Sequence, residues 1–433
     1  MRRSSRDREQ EMRFRHAIVC LVGLPLLALT ATAPVANATP WIIVEADSGR
    51  VVLEQDATAR WYPASLTKLV TAYVALQAIR EKRVTLDTPL IVSQRANKAA
   101  PSKMGFKPGT EVTLGNALKM LMVKSANDVA ITIAEGLGGS VEDFSDMMNK
   151  TARRLGMHES HFVNPNGLHA DNHYSSARDM AMIGYALFRD FPEYEALYGI
   201  GALRLGDQII PTHNGLMGRY PGADGMKTGF TCPAGFNVVA SAKRGNRRLI
   251  VVVLGYPNAK SRTLKAASLL DNGFATWATR KTLADLPATA GAAPNMRPRI
   301  CGPNREQVAE DDFAVVAQQG TGSSDSNASF FSQNAYPSGV AAIQAQMGTR
   351  PTFEPTPVYV GRAPGYTGAA LGPRGGVKVA AVGSAASEAM AKAGEKPKAK
   401  VDDKPKAKPV KKQKATAKPQ NKPKPQPQPR PKV

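Results

Sequence analysis

The sequence predicts an α/β (α+β) fold, in which an antiparallel sheet is flanked by helices and accompanied by an all-helical subdomain. Two apolar runs within residues 41–53 surround an Asp-Ser-Gly turn, a pattern typical of a β-hairpin. Residues 236–242 and 249–254 are a second pair of strand-like runs around a Gly-Asn turn. Because the chain between the two pairs has helical periodicity, we expect strands first and last, with helices in the middle.

The predicted helices carry apolar residues three and four positions apart. The first opens with Ser65 and continues through Leu69, Tyr73 and Leu76. The others are expected over 114–123, over 129–134 after a break near Ser125, behind a capping Ser175, and over 264–279.

The N-terminus has the features of an export signal. An Arg-rich start, an apolar run over 17–31 and an Ala-Asn-Ala site at 36–38 predict a signal peptide over residues 1–38. The mature protein would then begin near Thr39 and act in the periplasm or cell envelope. An uncleaved membrane anchor is the alternative, but Pro25 and the short apolar run favour removal.

Residues 39–285 are expected to form the folded domain. From residue 286 onward periodicity is lost, so residues 286–390 are expected to be a low-complexity, mostly disordered region. Residues 391–433 are a Lys/Pro-rich tail, also expected to be disordered. This tail holds fourteen Lys and one Arg against three acidic residues, and so carries over half of the formal net charge of +22. The mild positive excess elsewhere needs no polyanion, and no nucleic-acid partner is expected.

The three cysteines point to an oxidising compartment. Cys20 lies in the expected signal peptide, which leaves Cys232 and Cys301 to form one disulfide or to remain two free thiols. Two cysteines without a histidine nearby at ligand spacing do not make a metal site. His169 and His173 are expected to be polar loop residues, and no metal is expected.

Three short motifs carry the residue types of a serine acyl-transfer site: Ser65-Leu66-Thr67-Lys68, Ser125-Ala126-Asn127 and Lys227-Thr228-Gly229. They are expected at the opening of a helix, in a break between helices and on a strand. Residues three apart share one helix face, so the Lys68 amine can reach the Ser65 hydroxyl. A serine needs a base to remove its proton, and an amine is a base only when neutral. Burial and the Lys227 cation are expected to lower the pKa of Lys68 for this purpose.

These motifs resemble those of low-molecular-mass penicillin-binding proteins that act as D-alanyl-D-alanine carboxypeptidases, the serine peptidase S11 family. Segments 164–168, 214–222 and 261–274 are similar to the same family, so the resemblance covers roughly residues 39–280. It implies a penicillin-binding/β-lactamase-like transpeptidase fold, with residues 39–285 as the catalytic domain. The implied reaction removes the terminal D-alanine from peptidoglycan stem peptides during cell wall remodelling. β-Lactams would be covalent inhibitors, and no cofactor is expected.

The resemblance also implies roles for individual residues. Ser65 would be the acylated nucleophile and Lys68 its general base, while Ser125 and Lys227 would relay a proton to the leaving amine. The backbone N–H groups of Ser65 and Phe230 would form the oxyanion hole. The residues that would hold the substrate's terminal carboxylate are Lys227, Thr228 and Arg262. The full substrate-binding set is Asn127, which would hydrogen-bond the substrate's peptide backbone, Lys227, Thr228, Gly229, Phe230 and Arg262.

Several alternatives stay open. A DD-endopeptidase that cuts peptidoglycan cross-links would use the same residues, and a wall-binding scaffold with an unused site is a non-enzymatic alternative. A class A β-lactamase is disfavoured, because the Glu-x-x-Leu-Asn signature is absent between residues 150 and 180. Neither the β-sandwich nor the amphipathic membrane helix common in the family is expected after the catalytic domain. The basic tail is expected either to adhere to anionic wall or envelope surfaces or to act as a solubilising extension.

Overall fold

A computed structural model of the protein describes residues 39–303, 343 and 347–374. The expected signal peptide and the expected Lys/Pro-rich tail lie outside the described residues. The strands are β1 Trp41–Glu45, β2 Val51–Gln55, β3 Pro89–Ile91, β4 Glu111–Thr113, β5 Ala202–Leu205, β6 Gln208–Pro211, β7 Ala223–Thr231, β8 Gly235–Arg244, β9 Arg247–Tyr256 and β10 Thr356–Val358. The α-helices are α1 Lys68–Arg80, α2 Gln94–Asn97, α3 Leu114–Val123, α4 Asn127–Gly138, α5 Val141–Arg154, α6 Ala177–Asp190, α7 Glu195–Tyr198, α8 Ala259–Ala275 and α9 Arg297–Cys301. Within the described ranges, no helix combines the length and apolar character needed to cross a membrane.

The centre of the fold is a five-stranded antiparallel sheet in the order β2-β1-β9-β8-β7. It contains both predicted strand pairs and confirms the α+β class. Alternate residues of each strand point to opposite faces. Ile42 and Val252 pack on the face covered by α1 and α6, whereas Ile43 and Val251 pack on the face covered by α8. Because both faces are covered, the central strands are apolar without interruption.

Helix α1 is nearly enclosed by the rest of the domain. A 3₁₀ turn, Ala64–Thr67, leads into it, as the predicted helix opening requires. Ten of its thirteen residues are buried, because α3, α4, α5 and α6 pack around it. A helix that is apolar on all sides is stable only when it is enclosed in this way. The enclosed first turn carries the side chain of Lys68 into the interior.

Helices α2 to α5 form the predicted helical subdomain, together with the two-stranded antiparallel sheet of β3 and β4. Helix α3 has the predicted bounds, and its cap is Thr113, whose hydroxyl accepts a hydrogen bond from the Asn116 N–H. The predicted break at Ser125 separates α3 from α4. It brings the second motif to the sheet-facing end of the subdomain, beside α1.

The predicted bounds of two helices are wrong. The cap of α6 is Ser176 rather than Ser175, because the Ser176 hydroxyl accepts the hydrogen bond from the Asp179 N–H. Helix α8 begins five residues before the predicted range 264–279 and ends four residues before its end. Its start is set by Asn258, whose side chain caps the first turn. These polar caps set the helix ends more strongly than the apolar periodicity does.

The region after residue 286 contains packed structure in residues 286–303 and 347–374, which the sequence does not predict. Cys301, at the end of α9, forms a disulfide with Cys232, which decides between the two alternatives. β10 pairs in parallel with β5, and the Leu371 N–H donates to the backbone of β3. These contacts are made by the backbone and by isolated side chains. Because the sequence there is rich in Ala, Gly and Pro, no periodic pattern predicts them.

Candidate active site

Ser65 and Lys68 meet at the start of α1. Ser65 lies in the 3₁₀ turn, Lys68 is the first residue of the helix, and the Lys68 Nζ atom is 2.9 Å from Ser65 Oγ. Ala64, just before the serine, has φ +49°. This left-handed conformation costs a non-glycine residue about 1–2 kcal/mol, so the turn that presents Ser65 is held against local strain.

The Lys68 amine has two further partners, and both can only accept hydrogen bonds. Nζ donates to Asn127 Oδ1 at 2.7 Å and to the Asn166 carbonyl at 2.6 Å. A neutral amine has two hydrogens and one lone pair. When both hydrogens are given to these oxygens, the lone pair is left for the Ser65 hydroxyl.

Two buried lysines repel each other at the site. Lys68 is 0% exposed and Lys227, on β7, is 2% exposed. Burial and then the charge of Lys227 lower the pKa of Lys68 well below its ordinary value, and Asp128 opposes this only in part. Burial and then the charge of Arg262 lower the pKa of Lys227 to about 7. These causes for Lys68, burial and a second cation, are the ones that the sequence predicts.

The second motif lies in the break between α3 and α4. Ser125 has φ +62° and lines the pocket that contains the first motif. The Asn127 Nδ2 atom donates to the Ala100 and Pro101 carbonyls at 2.9 and 3.2 Å. Both amide hydrogens are therefore used within the protein. In this structure Asn127 positions the lysine amine and the neighbouring loop.

The third motif lies on β7, the edge strand beside the 3₁₀ turn. A Cβ atom on Gly229 would lie 2.9 Å from the Pro63 carbonyl oxygen and 3.0 Å from the Ser65 nitrogen, closer than real Cβ contacts. Glycine therefore lets the strand approach the backbone of Ser65. The next residue, Phe230, stacks its ring on Phe236 and lines the pocket.

Arg262 projects from α8 and is 4% exposed. Its Nη atoms donate to the Asn237 carbonyl at 3.4 Å and to Thr263 Oγ1 at 3.2 Å, while Nε has no partner among the described residues. Burial lowers its pKa to about 10, so it remains charged at neutral pH. No carboxylate in the described part of the chain pairs with it. Burying an unpaired guanidinium costs free energy of folding, and binding an anion there would offset this cost.

The predicted residues converge on one pocket of about 600 Å³. Those in its walls are Ser65, Ser125, Asn127, Thr228, Gly229, Phe230 and Arg262. Lys68 and Lys227 are buried next to them. A larger groove of about 870 Å³, between α3, α7 and β10, holds none of the motif residues.

Several residues of the pocket walls were not predicted as site residues, among them Asn166, His213 and Arg350. Asn166 contributes its backbone carbonyl to Lys68, and a carbonyl leaves no mark in a sequence. His213 directly precedes a segment that resembles the family, which is a usable but weak indication. Arg350 lies in the region without periodicity, and no sequence pattern there marks it as a site residue.

The two histidines of the 169–173 segment are placed differently from each other. His173 lies in a loop, as predicted, but it is buried, and its Nε2 atom lies 2.8 Å from Thr67 Oγ1. Burial lowers the pKa of His173 to about 3, so it is neutral. His169 packs against the Tyr62 ring. In the described ranges, no three His, Cys, Asp or Glu side chains are grouped so as to hold a metal ion.

Comparisons with known proteins point to one family. A family model described as D-alanyl-D-alanine carboxypeptidase matches residues 28–258. The D-alanyl-D-alanine carboxypeptidase DacA of Haemophilus influenzae is 36% identical over 257 residues, which are 58% of this chain and 65% of the relative. The D-alanyl-D-alanine carboxypeptidase DacC of Escherichia coli is 37% identical over 257 residues, which are 58% of this chain and 64% of the relative. The crystal structure of DacD from Francisella tularensis has a TM-score of 0.53 at 28% identity, and covers 60% of this chain and 74% of that one. The chain spans just under two thirds of the length of the two curated relatives.

Proposed function

The chain belongs to the D-alanyl-D-alanine carboxypeptidase family, peptidase S11, and from this membership we propose that it is a serine-type D-Ala-D-Ala carboxypeptidase. Its substrate would be the peptidoglycan stem peptide that ends in D-Ala-D-Ala. One observation carries the proposal: the buried amine of Lys68, its pKa lowered well below the ordinary value, lies 2.9 Å from the Ser65 hydroxyl oxygen. That pair is an activated nucleophile.

In the proposed first step, the lone pair of Lys68 takes the proton of Ser65 Oγ while that oxygen attacks the carbonyl carbon between the two D-alanines. The oxyanion that forms would accept hydrogen bonds from the N–H groups of Ser65 and Phe230. The close approach of Gly229 to Ser65 supports this, because Phe230 follows on the same strand. Removing one such donor typically costs about 3–4 kcal/mol of transition-state stabilisation.

The C–N bond then breaks, and the terminal D-alanine leaves once its nitrogen has gained a proton. We assign the delivery of that proton to Ser125, which lines the pocket, with Lys227 as its source. A pKa of about 7 lets Lys227 donate or accept a proton at neutral pH. The proton that Lys68 took from Ser65 passes through Ser125 to the now neutral Lys227, which restores the neutral amine of Lys68. Water then attacks the acyl ester, with Lys68 as the base. The shortened peptide leaves and the Ser65 hydroxyl is restored.

Arg262, Lys227 and Thr228 are proposed to hold the terminal carboxylate of the substrate. The pocket walls contain no Asp or Glu, and Arg262 is a buried cation without a carboxylate partner in the described ranges. The free chain end supplies the missing anion, and charge-assisted hydrogen bonds to it are about twice as strong as neutral ones.

Covalent labelling with a fluorescent penicillin tests the nucleophile. Wild-type protein should be labelled, with the label on the peptide that contains Ser65. Ser65→Ala should abolish labelling, and Lys68→Ala should slow it by about 100-fold or more. Ser48→Ala, in the turn between β1 and β2, is the matched serine control and should label normally. Full labelling of the Ser65 variant would contradict the proposal.

Mass spectrometry of digested wall fragments separates the carboxypeptidase from the DD-endopeptidase alternative. Loss of one alanine from monomeric muropeptides supports the carboxypeptidase, whereas loss of cross-linked dimers supports the endopeptidase. Because the catalytic residues would be the same, only the products distinguish the two activities.

Export and envelope attachment are also proposed. The Arg-rich start and apolar run of residues 1–38 support export, which fractionation of cells that express the full chain tests. Fourteen Lys and one Arg within residues 391–433 support adhesion to anionic wall or envelope surfaces. Retention on isolated walls should fall as salt rises, and should fall in a variant truncated after residue 390. Equal retention of the two proteins would leave the tail as a solubilising extension.

A further inference from the structure

Residues 347–353 pack against the catalytic domain, although they lie outside the segment matched by the family model. Met347 is buried in the core beneath α8, and Arg219 Nε donates to the Gly348 carbonyl at 3.0 Å. A Cβ atom on Gly201 would lie 2.2 Å from the ring of Phe353, so glycine at this position leaves room for the ring. Arg350 lies between these contacts, which place it at the mouth of the candidate active site.

Arg350 lines the same pocket as Ser65 and Arg262. It is exposed, and one Nη atom donates to the Thr212 carbonyl. Among the described residues, that is its one hydrogen bond, and no carboxylate pairs with it. Most of its five N–H donors therefore remain available to a ligand in the pocket.

The charge at this end of the pocket is positive. A second cavity of about 390 Å³ continues from the pocket, shares His213 and Arg262 with it, and adds Arg219 and Lys260. Neither cavity has an Asp or Glu in its walls. The groups that lower the pKa of His213 are, after partial burial, the cations Lys227, Lys124, Arg350 and Arg262. His213 is therefore a neutral group among several cations, in a region suited to an anion.

Arg262 offers only part of its guanidinium to a carboxylate, because two of its five N–H donors are used within the protein. One N–H of each Nη atom is directed to Asn237 or Thr263, and three N–H donors remain, among them Nε, which has no partner among the described residues. A bidentate arginine–carboxylate pair needs two parallel N–H groups. Arg350 retains such donors at the same end of the pocket.

We infer that Arg350, supplied by the C-terminal segment, is a specificity-determining residue that binds the free carboxylate of the substrate's chain end together with Arg262. The inference rests on the proposed function, which it deepens. The substrate-binding site would then be completed by a segment outside the matched family region. Selection for a chain that ends in a carboxylate would depend on two guanidinium groups rather than one.

The test compares two synthetic peptides that end in D-Ala-D-Ala, one as the free acid and one as the C-terminal amide. For the full-length protein, the ratio of kcat/KM for acid over amide measures recognition of the negative charge. Arg350→Ala should lower this ratio about tenfold, the factor that corresponds to 1.4 kcal/mol, mainly through a higher KM for the acid. Arg350→Lys should keep part of the ratio, since a point charge remains but the fork is lost. Rates on the amide should fall much less than rates on the acid.

Arg374→Ala is the matched control. This arginine belongs to the same described segment but pairs with Asp143 at 3.2 Å, has a side chain that is 75% exposed, and is absent from the pocket walls. It should keep the wild-type ratio. The inference is overturned if Arg350→Ala keeps the wild-type ratio, if both substrates slow equally, or if Arg374→Ala lowers the ratio to the same extent. A wild-type protein that cleaves neither peptide and takes no penicillin on Ser65 would instead overturn the proposed function.

Discussion

Replacing Gly229 with alanine tests whether β7 must touch the backbone of Ser65. The added Cβ atom would lie 2.9 Å from the Pro63 oxygen, about 0.5 Å short of ordinary contact, which begins at 3.4 Å. Because the atoms that it meets are backbone, the strand has to move, and no side chain can rotate away. A misplacement of about 1 Å costs an enzyme on the order of 100-fold in rate, and the proposed oxyanion donors lie on the two segments that would separate. We therefore expect acylation to slow by about 100-fold.

The assay is the second-order rate constant for acylation by a fluorescent penicillin, measured beside thermal unfolding. Gly184→Ala, in α6, is the matched control, because its added Cβ atom would find its nearest neighbours at 3.4–3.6 Å. This variant should acylate like wild type. If Gly229→Ala also acylates at the wild-type rate, the strand contact does not set the geometry of the nucleophile. If both variants lose activity together, general destabilisation explains the loss.

Three further outcomes are expected. Lys227→Gln removes a cation that lowers the pKa of Lys68, so the acid limb of the acylation pH profile should move to higher pH. Lys227→Met should raise the melting temperature and flatten the pH dependence of stability between about pH 7 and 10.5, the pKa values of this lysine in the folded and unfolded chain. In that window the folded wild type binds fewer protons than the unfolded chain, so its stability rises with pH; thermal unfolding across the range checks this. Cys301→Ser opens a disulfide that spans 69 residues, and should lower the free energy of unfolding by about 2–4 kcal/mol in urea titrations, with reduced wild type as the control.

The sequence predicts those parts of the fold and site that depend on local spacing. Ser65 and Lys68 meet because they are three residues apart at the start of one helix, which no distant contact has to arrange. The two strand pairs follow from apolar runs around short turns, and the break at Ser125 follows from the interruption of a helical pattern. In each case the residues that carry the pattern are also those that form the contact.

The parts that could not be predicted depend on long-range contacts of the backbone or of single side chains. The Asn166 carbonyl reaches Lys68 across 98 positions of sequence, and any residue at that place could supply a carbonyl. β10 is held by parallel pairing with β5, which requires no apolar periodicity. Arg350 lies in the pocket because Met347, Gly348 and Phe353 pack against distant parts of the domain, and no local sequence pattern indicates this. The start of α8 at the Asn258 cap is not predicted, because the apolar periodicity of this helix begins only at Leu264.

The site gathers cations at a cost to stability that the rest of the fold has to offset. Lys68, Lys227 and Arg262 are all buried, and no carboxylate lines the pocket that they surround. If these cations served stability, replacing Lys227 with an apolar side chain would destabilise the protein, since a buried pair would be broken. Because Lys227 instead repels its neighbours, the same replacement should raise stability and abolish rapid acylation together. A variant that loses both would show that Lys227 holds the fold, whereas a gain in stability with a loss of acylation identifies a charge retained for chemistry.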